Sequence, residues 1–295
     1  VPQSETLMPP TRQTNVSYVL FIALAASLGG LLFGYDTAVI SGAIGFLRIK
    51  FELTPAQMGW AAASALVGSI IGCMIAGVLS DAVGRKKVLI LAAVLFAVSA
   101  IGSGLAQTID VFVWYRILGG VGVGIASMIT PMFISEIAPA SIRGRLVSFY
   151  QFAIVFGIFV IYFVNYFIAR QGSEIWNVET GWRWMFASEA MPALIFLGFL
   201  IVVPESPRWL IAKQRPEKAR GILQRIFGEQ ADTQLADIQS TIGREAGSWK
   251  MLLQPRVLKI VLIGVVLAVL QQAVGINVIL YYAPEIFKTL GSDIN

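Results

Sequence analysis

Seven apolar runs dominate the chain: residues 18–43, 58–80, 88–107, 112–135, 147–169, 184–203 and 257–283. An α-helix rises about 1.5 Å per residue, so about 20 apolar residues cross the hydrocarbon core of a bilayer. Within that core every backbone N–H and C=O needs an internal partner, and runs this long meet the demand as helices. The expected fold is an all-α integral membrane protein with the lipid bilayer as its solvent. Composition agrees: 57% of residues are hydrophobic and 13% charged, where a soluble domain carries about 25% charged residues. The first run is too long for a signal peptide, and no A-x-A-like cleavage site follows it.

Orientation follows from Lys and Arg. Of the 22 such residues, sixteen lie on the side of the N-terminus, in the 80s turn, the 140s turn and the long 204–259 segment. Five lie on the opposite side, and Arg116 sits inside a span. The positive-inside rule places the N-terminus in the cytoplasm of a multi-pass cell (inner) membrane protein. The net charge of +5 is therefore topology, and no nucleic-acid partner is expected. Residues 1–16 are polar and Pro-containing and read as a disordered tail.

Leu28-Gly29-Gly30 in the first span recurs as Leu118-Gly119-Gly120 in the fourth, and the second and fifth and the third and sixth spans are offset by about the same interval. Three helices repeated in opposite topology form a transporter half-domain. This half would cover 17–203. Residues 204–256 carry two apolar stripes, Ile222, Leu223, Ile226, Phe227 and then Leu235, Ile238, Ile242, as expected of short amphipathic helices at the cytoplasmic face. Residues 257–295 hold the seventh span.

Three charged residues stand inside the first six spans. Asp36 lies about 27 Å along the first span at 1.5 Å per residue, Arg116 about one turn into the fourth, and Glu189 between one and two turns into the sixth. Alternating span direction puts all three in one outer layer. An intramembrane charge is expensive and marks function by default. The group reads either as a proton relay, in which Arg116 changes partner when Asp36 takes a proton, or as a static ion network that fixes packing. The chain has no histidine, so proton chemistry near neutral pH falls to carboxylates. Asp110, at the outer end of the fourth span, reads as an N-terminal helix charge. The single Cys73 allows no intrachain disulfide and reads as a core hydrophobe.

Three turns share the cytoplasmic side. GVLSDAVGRKK carries Gly77 for close approach, Asp81, Gly84 for a tight turn, and Arg85. Glu136 precedes Arg143 and Arg145. PESPR carries Glu205 and Arg208. Together they can form salt bridges that latch one conformation. No nucleophile–base set and no metal-ligand spacing appears, so neither an enzyme nor a cofactor is expected.

The motifs GVLSDAVGRKK, SEIAPASIRGR, PESPRWL and QQAVGINVILYYAP resemble the sugar porter family of the major facilitator superfamily, over about Ser17 to Gly291. The resemblance implies a sugar site near the midplane between two six-helix halves. Gln151, Gln271, Gln272 and Asn277 match its sugar-contacting amides, which offer both donors and acceptors to hydroxyls. Phe33, Ile154 and Tyr281 match its apolar and aromatic contacts. Asp36 matches the position that takes the coupling proton, Arg116 its partner and Glu189 the nearby acid. Passive facilitators of the family usually carry Asn at the Asp36 position, so Asp36 favours symport. Xylose-transporting members carry a second Gln seven residues after the first; Ile158 stands here, as in glucose-handling members. A hexose is thus as well supported as xylose. Five spans of the family are missing, so the chain is expected to be truncated after the first helix of the second half. The expected function is monosaccharide–proton symport by alternating access, in a monomer. A proton-independent facilitator and a non-transporting sugar sensor are the alternatives.

Overall fold

The computed structural model describes residues 14–244 and 254–289. Most of the expected disordered tail over 1–16 lies outside the described residues. Among those residues, seven helical segments are long and apolar enough to cross a membrane. Helices α1 (Val16–Lys50), α2 (Pro55–Val83), α3 (Arg85–Leu105), α4 (Ile109–Ile137) and α5 (Arg143–Ala169) alternate in direction. Span six is composite: α6 (Glu174–Trp176), a π-helical turn at Asn177–Gly181, α7 (Trp182–Ala187) and α8 (Ala190–Val202). Three short helices follow, α9 (Pro207–Ala212), α10 (Pro216–Phe227) and α11 (Ala231–Arg244). The seventh span is α12 (Pro255–Ala273) and α13 (Ile276–Thr289).

Local chemistry sets the helix ends. Thr54 accepts from the Gln57 N–H and the Gln57 amide oxygen accepts from the Thr54 N–H, a capping box with Pro55 at the first helical position. Gly84 separates α2 from α3 at φ +107°, a conformation L side chains avoid. The expected tight turn is present there.

The inverted repeat is visible in the packing. On α1, a methyl at Gly30 or Gly34 would overlap the backbone oxygens of Tyr150 or Ile154 on α5. Ninety residues later on α4, a methyl at Gly120 or Gly124 would overlap those of Ala65 or Ser69 on α2. Gly157 on α5 meets the Leu31 oxygen as Gly72 on α2 meets that of Val121. Lipid offers no hydrophobic drive for helix association, so such close backbone contact supplies it. Gly77 is different. A methyl there would reach only Met128 Cε at 3.5 Å, so the expected close approach at this residue is corrected to ordinary contact.

Two apolar clusters fill the bundle. One, including Leu32, Val123, Ala193 and Phe196, lies toward the linker helices; the other, including Tyr35, Val113, Trp182 and Phe186, lies toward the far end. The linker helices pack on one another through Trp209, Leu210, Leu235, Ile238 and Ile242. They also seal the bundle, because Ile226 is fully buried in its core and its carbonyl accepts from the Asn15 N–H at 2.9 Å.

The seventh span departs from the continuous run 257–283. It breaks at Gly275, φ +78°, where the Gly275 N–H donates to the Gln272 carbonyl three residues back at 2.9 Å instead of continuing the i→i+4 ladder. None of the described residues of α12 is buried, whereas α13 returns to α1 and α5, where the Tyr162 hydroxyl donates to the Leu280 carbonyl at 3.2 Å.

Candidate functional site: a charged layer within the apolar core

The boundary between the two apolar clusters is where the three intramembrane charges meet. Arg116 Nη1 donates to Asp36 Oδ1 at 2.5 Å, and Nη2 donates to the Asp36 carbonyl at 3.1 Å. Glu189 is 1% exposed and lies in the field of both Asp36 and Arg116. The Phe186 ring lies 5.5 Å from the Arg116 guanidinium carbon and shields it. Gly119 makes room: a side chain there would strike Ser99, whose hydroxyl donates to the Tyr115 carbonyl at 2.8 Å.

This layer is under-satisfied. Asp36 Oδ2, Arg116 Nε and Glu189 Oε1 are buried without a hydrogen-bond partner. Two carboxylates facing one guanidinium leave an excess negative charge in a medium that penalises it. A proton on either carboxyl would remove that excess.

Tyr281 of α13 is 7% exposed and lies in the field of Arg116 and Asp36. Ile154 is half-buried at the α1–α5 crossing, and Phe33 is half-buried against the core. Gln151 is exposed on α5, on the side that also carries Ile154 and Ile158, as i, i+3, i+7 spacing requires. Gln271 and Gln272 are exposed on α12, and the Asn277 amide donates to Gln272 Oε1 at 2.8 Å across the break. The described residues therefore do not enclose a sugar-sized site around these amides. They bring Tyr281 to the charged layer and leave the glutamines open.

At the linker end, Arg85 is the hub. Its Nε and Nη2 donate to both oxygens of Glu136 at 3.1–3.3 Å, and its Nη1 donates to Asp81 at 2.8 Å and to the Ser80 carbonyl at 3.1 Å. Glu205 accepts from the Lys86 and Ser206 N–H groups at 3.1 and 2.9 Å. The Trp209 indole donates to the Asp81 carbonyl at 3.0 Å. Arg143 lies at the rim, reaching the Ala138 carbonyl at 3.5 Å. With Glu136 and Arg208 it lines a 570 Å³ cavity between the α4–α5 turn and the linker helices. Arg145 is exposed at the start of α5. The structure thus joins Asp81, Arg85, Glu136 and Glu205 to one another, and sets Arg145 apart.

Sequence reasoning missed Tyr35 and Ser188, whose hydroxyls meet at 2.8 Å beside the layer. Pro192, four residues after Ser188, was the available signal.

The family model described as "Sugar (and other) transporter" matches residues 22–294. The chain is 48% identical to the D-xylose-proton symporter of Escherichia coli K12, over 95% of this chain and 62% of that protein. It is 46% identical to the arabinose-proton symporter of Bacillus subtilis 168, over 98% and 63%. A solved structure of the major facilitator superfamily proton:xylose symporter XylE, from E. coli, bound to 6-bromo-6-deoxy-D-glucose superposes with a TM-score of 0.85 at 47% identity, over 95% and 64%. The chain therefore spans less than two thirds of the length of these relatives. By the family match and by identity over nearly its whole length, this chain belongs to the sugar transporter family of the major facilitator superfamily.

Proposed function

We propose that this chain is the proton-coupling half, with the first helix of the partner half, of a monosaccharide–proton symporter that works by alternating access. The observation that carries the proposal is the Asp36–Arg116–Glu189 layer, buried between two apolar clusters with one idle oxygen on each carboxyl group. Asp36 takes the proton, Arg116 shifts toward Glu189, and the change in pairing alters how α1, α4 and the sixth span sit together. Gln151, Gln271, Gln272 and Asn277 bind sugar hydroxyls, with Phe33, Ile154 and Tyr281 against the ring. Asp81, Arg85, Glu136, Glu205 and Arg208, with Gly84, Arg143 and Arg145 around them, hold the cytoplasmic side in one state. Gly77 packs that turn without the close approach first expected of it.

In this reading residues 17–203 form the transport half, 204–256 a cytoplasmic linker and 257–295 the first helix of a second half. The N-terminus faces the cytoplasm, since the basic residues crowd that side. The work is transport and not catalysis. The substrate is a pentose or hexose, because the named relatives carry xylose and arabinose and the solved neighbour holds a glucose derivative. Ile158 offers apolar contact where a second amide would select for another hydroxyl.

The test is uptake into liposomes by the full natural protein that carries this chain, with and without an inward proton gradient, for xylose, glucose and a non-sugar control. Gradient-driven accumulation of one sugar is expected. Saturable equilibration that ignores the gradient would make the protein a facilitator and return Asp36 to a packing role.

A further inference from the structure

The sixth span is interrupted where its carboxylate has to face α1, and the chain itself dictates the place. Proline has no N–H and its ring crowds the carbonyl four residues earlier. Pro192 therefore denies a partner to the Ser188 carbonyl, which accepts instead from the Met191 N–H at 3.3 Å. One step earlier the Glu189 N–H turns to the Phe186 carbonyl at 3.2 Å. That leaves the Met185 carbonyl without its i→i+4 donor. The Ser188 hydroxyl fills the gap, donating to the Met185 oxygen at 2.6 Å.

The direction of the next bond follows. Ser188 has one hydroxyl proton and has used it, so its oxygen can only accept. The Tyr35 hydroxyl, 2.8 Å away, is the donor. A chain thus runs from Tyr35 on α1 through Ser188 to the backbone of α7. Both of its hydroxyl residues are one residue from a carboxylate of the charged layer, Asp36 after Tyr35 and Glu189 after Ser188. Tyr35 is 3% exposed, so the bond is shielded from water on the α1 side.

We infer that Tyr35 and Ser188 are positioning residues for proton coupling: their hydroxyl chain pins the Pro192-induced break to α1 and so holds the Glu189 carboxyl group against that of Asp36. The inference rests on the proton-coupling reading above. Besides Asp36 and Glu189 themselves, the titratable and charged groups facing the pair are Arg116 from α4 and Tyr281 from α13. From α5, Tyr162 gives its proton to the Leu280 carbonyl. From α3, Ser99 gives its proton to the Tyr115 carbonyl.

The test compares Tyr35→Phe, Ser188→Ala and Ser188→Thr in the full natural protein, reconstituted in liposomes. Two readouts are needed: the pH profile of gradient-driven sugar uptake, and equilibrium sugar exchange at equal pH on both sides. Tyr35→Phe keeps the ring and Ser188→Ala keeps the volume, so exchange remains within about twofold of the parent, well below the cost of unmaking the core. Gradient-driven accumulation falls about fivefold in both, the scale of one lost hydrogen bond. The pH midpoint of uptake moves by about half a unit or more. Ser188→Thr, which retains the hydroxyl, stays with the parent. A midpoint and accumulation ratio unmoved in Tyr35→Phe and Ser188→Ala would overturn the inference while leaving symport standing. Equal losses in exchange and accumulation would also overturn it, since they mark a purely structural bond. A parent protein that ignores the proton gradient removes the symport reading and this inference with it.

Discussion

Arg116 and Arg85 each face two carboxylates at a junction between helices, and they differ in how completely they are satisfied. Arg85 uses Nε, Nη1 and Nη2 together, reaching both oxygens of Glu136, one of Asp81 and the Ser80 carbonyl. Arg116 reaches one carboxylate oxygen and one carbonyl, with Nε idle and an unpartnered oxygen on each neighbouring carboxyl group. Water reaches the first cluster, where the Asp81 side chain is 75% exposed, and not the second, where both ion-pair side chains are at most 2% exposed. In the proposed reading, a saturated, partly wet hub has one good arrangement and serves as a latch. In the same reading, a dry, under-satisfied one serves as a relay that a proton can rearrange.

The largest break in this comparison comes from removing both carboxylates of the dry layer. Asp36→Asn alone leaves Glu189 to neutralise Arg116. Asp36→Asn with Glu189→Gln strands the guanidinium in the core, and uncompensated buried charge costs about 3–5 kcal/mol. The double variant is expected to lose folded yield and thermal stability in detergent, while each single variant keeps most of both. Equal stability in all three would mean that Arg116 does not depend on these partners.

Asp36→Asn on its own acts on function. It fixes the layer in the arrangement that protonation would give, so uphill sugar accumulation is lost and sugar exchange persists. Loss of exchange as well would turn the dry layer into a second latch and erase the contrast. The check is counterflow against gradient-driven uptake in the same vesicles.

How much of this contrast lies in the sequence depends on dimension. The seven spans, the linker helices and the depth of Asp36, Arg116 and Glu189 can be read along one line, because bilayer thickness and helical rise convert residue number into height. Gly84 could be placed because a turn between two long helices leaves few alternatives. The pairing of Gly30 and Gly34 with α5, repeated by Gly120 and Gly124 with α2, needs helix rotation, which height does not give. Gly77 shows the same limit from the other side, since its neighbours share its motif but not its contact. The breaks at Ser188 and Gly275 were signalled by Pro192 and by Gly275 itself, yet both sit in runs whose hydropathy alone reads as unbroken. The exposed glutamines of α5 and α12 name a chemistry without a geometry, because a sugar site needs groups from helices that converge.

Arg85→Gln tests the latch side of the comparison. The substitution removes the charge and most of the donors that Glu136 and Asp81 share. Glu136 has only 8% of its side chain exposed, so it is left buried with a partner too few, a loss of about 1–3 kcal/mol. The expected result is a lower melting temperature and faster proteolysis at the linker helices, with the pH midpoint of uptake unchanged. A moved midpoint would tie the two clusters together and end their separation into latch and relay.

The finest distinction concerns Glu205, a member of the latch that resists its own charge. Burial holds its carboxyl group above the ordinary value of 4.5, against the pull of the Ser206 and Lys86 N–H groups and the Arg85 charge. A carboxyl group that binds its proton more tightly when folded adds stability at low pH and loses that contribution as pH rises through its raised value. Glu205→Gln mimics the protonated state at every pH. The melting temperature of the parent relative to Glu205→Gln is therefore expected to be highest near pH 4 and to fall as pH rises past 4.5. Because Glu205 is only half-buried, screening keeps this change smaller than that from Arg85→Gln. A gap that widens in favour of the parent with rising pH would show the opposite balance, with the donors outweighing burial. The latch would then be held by ionised Glu205 as firmly as by Arg85.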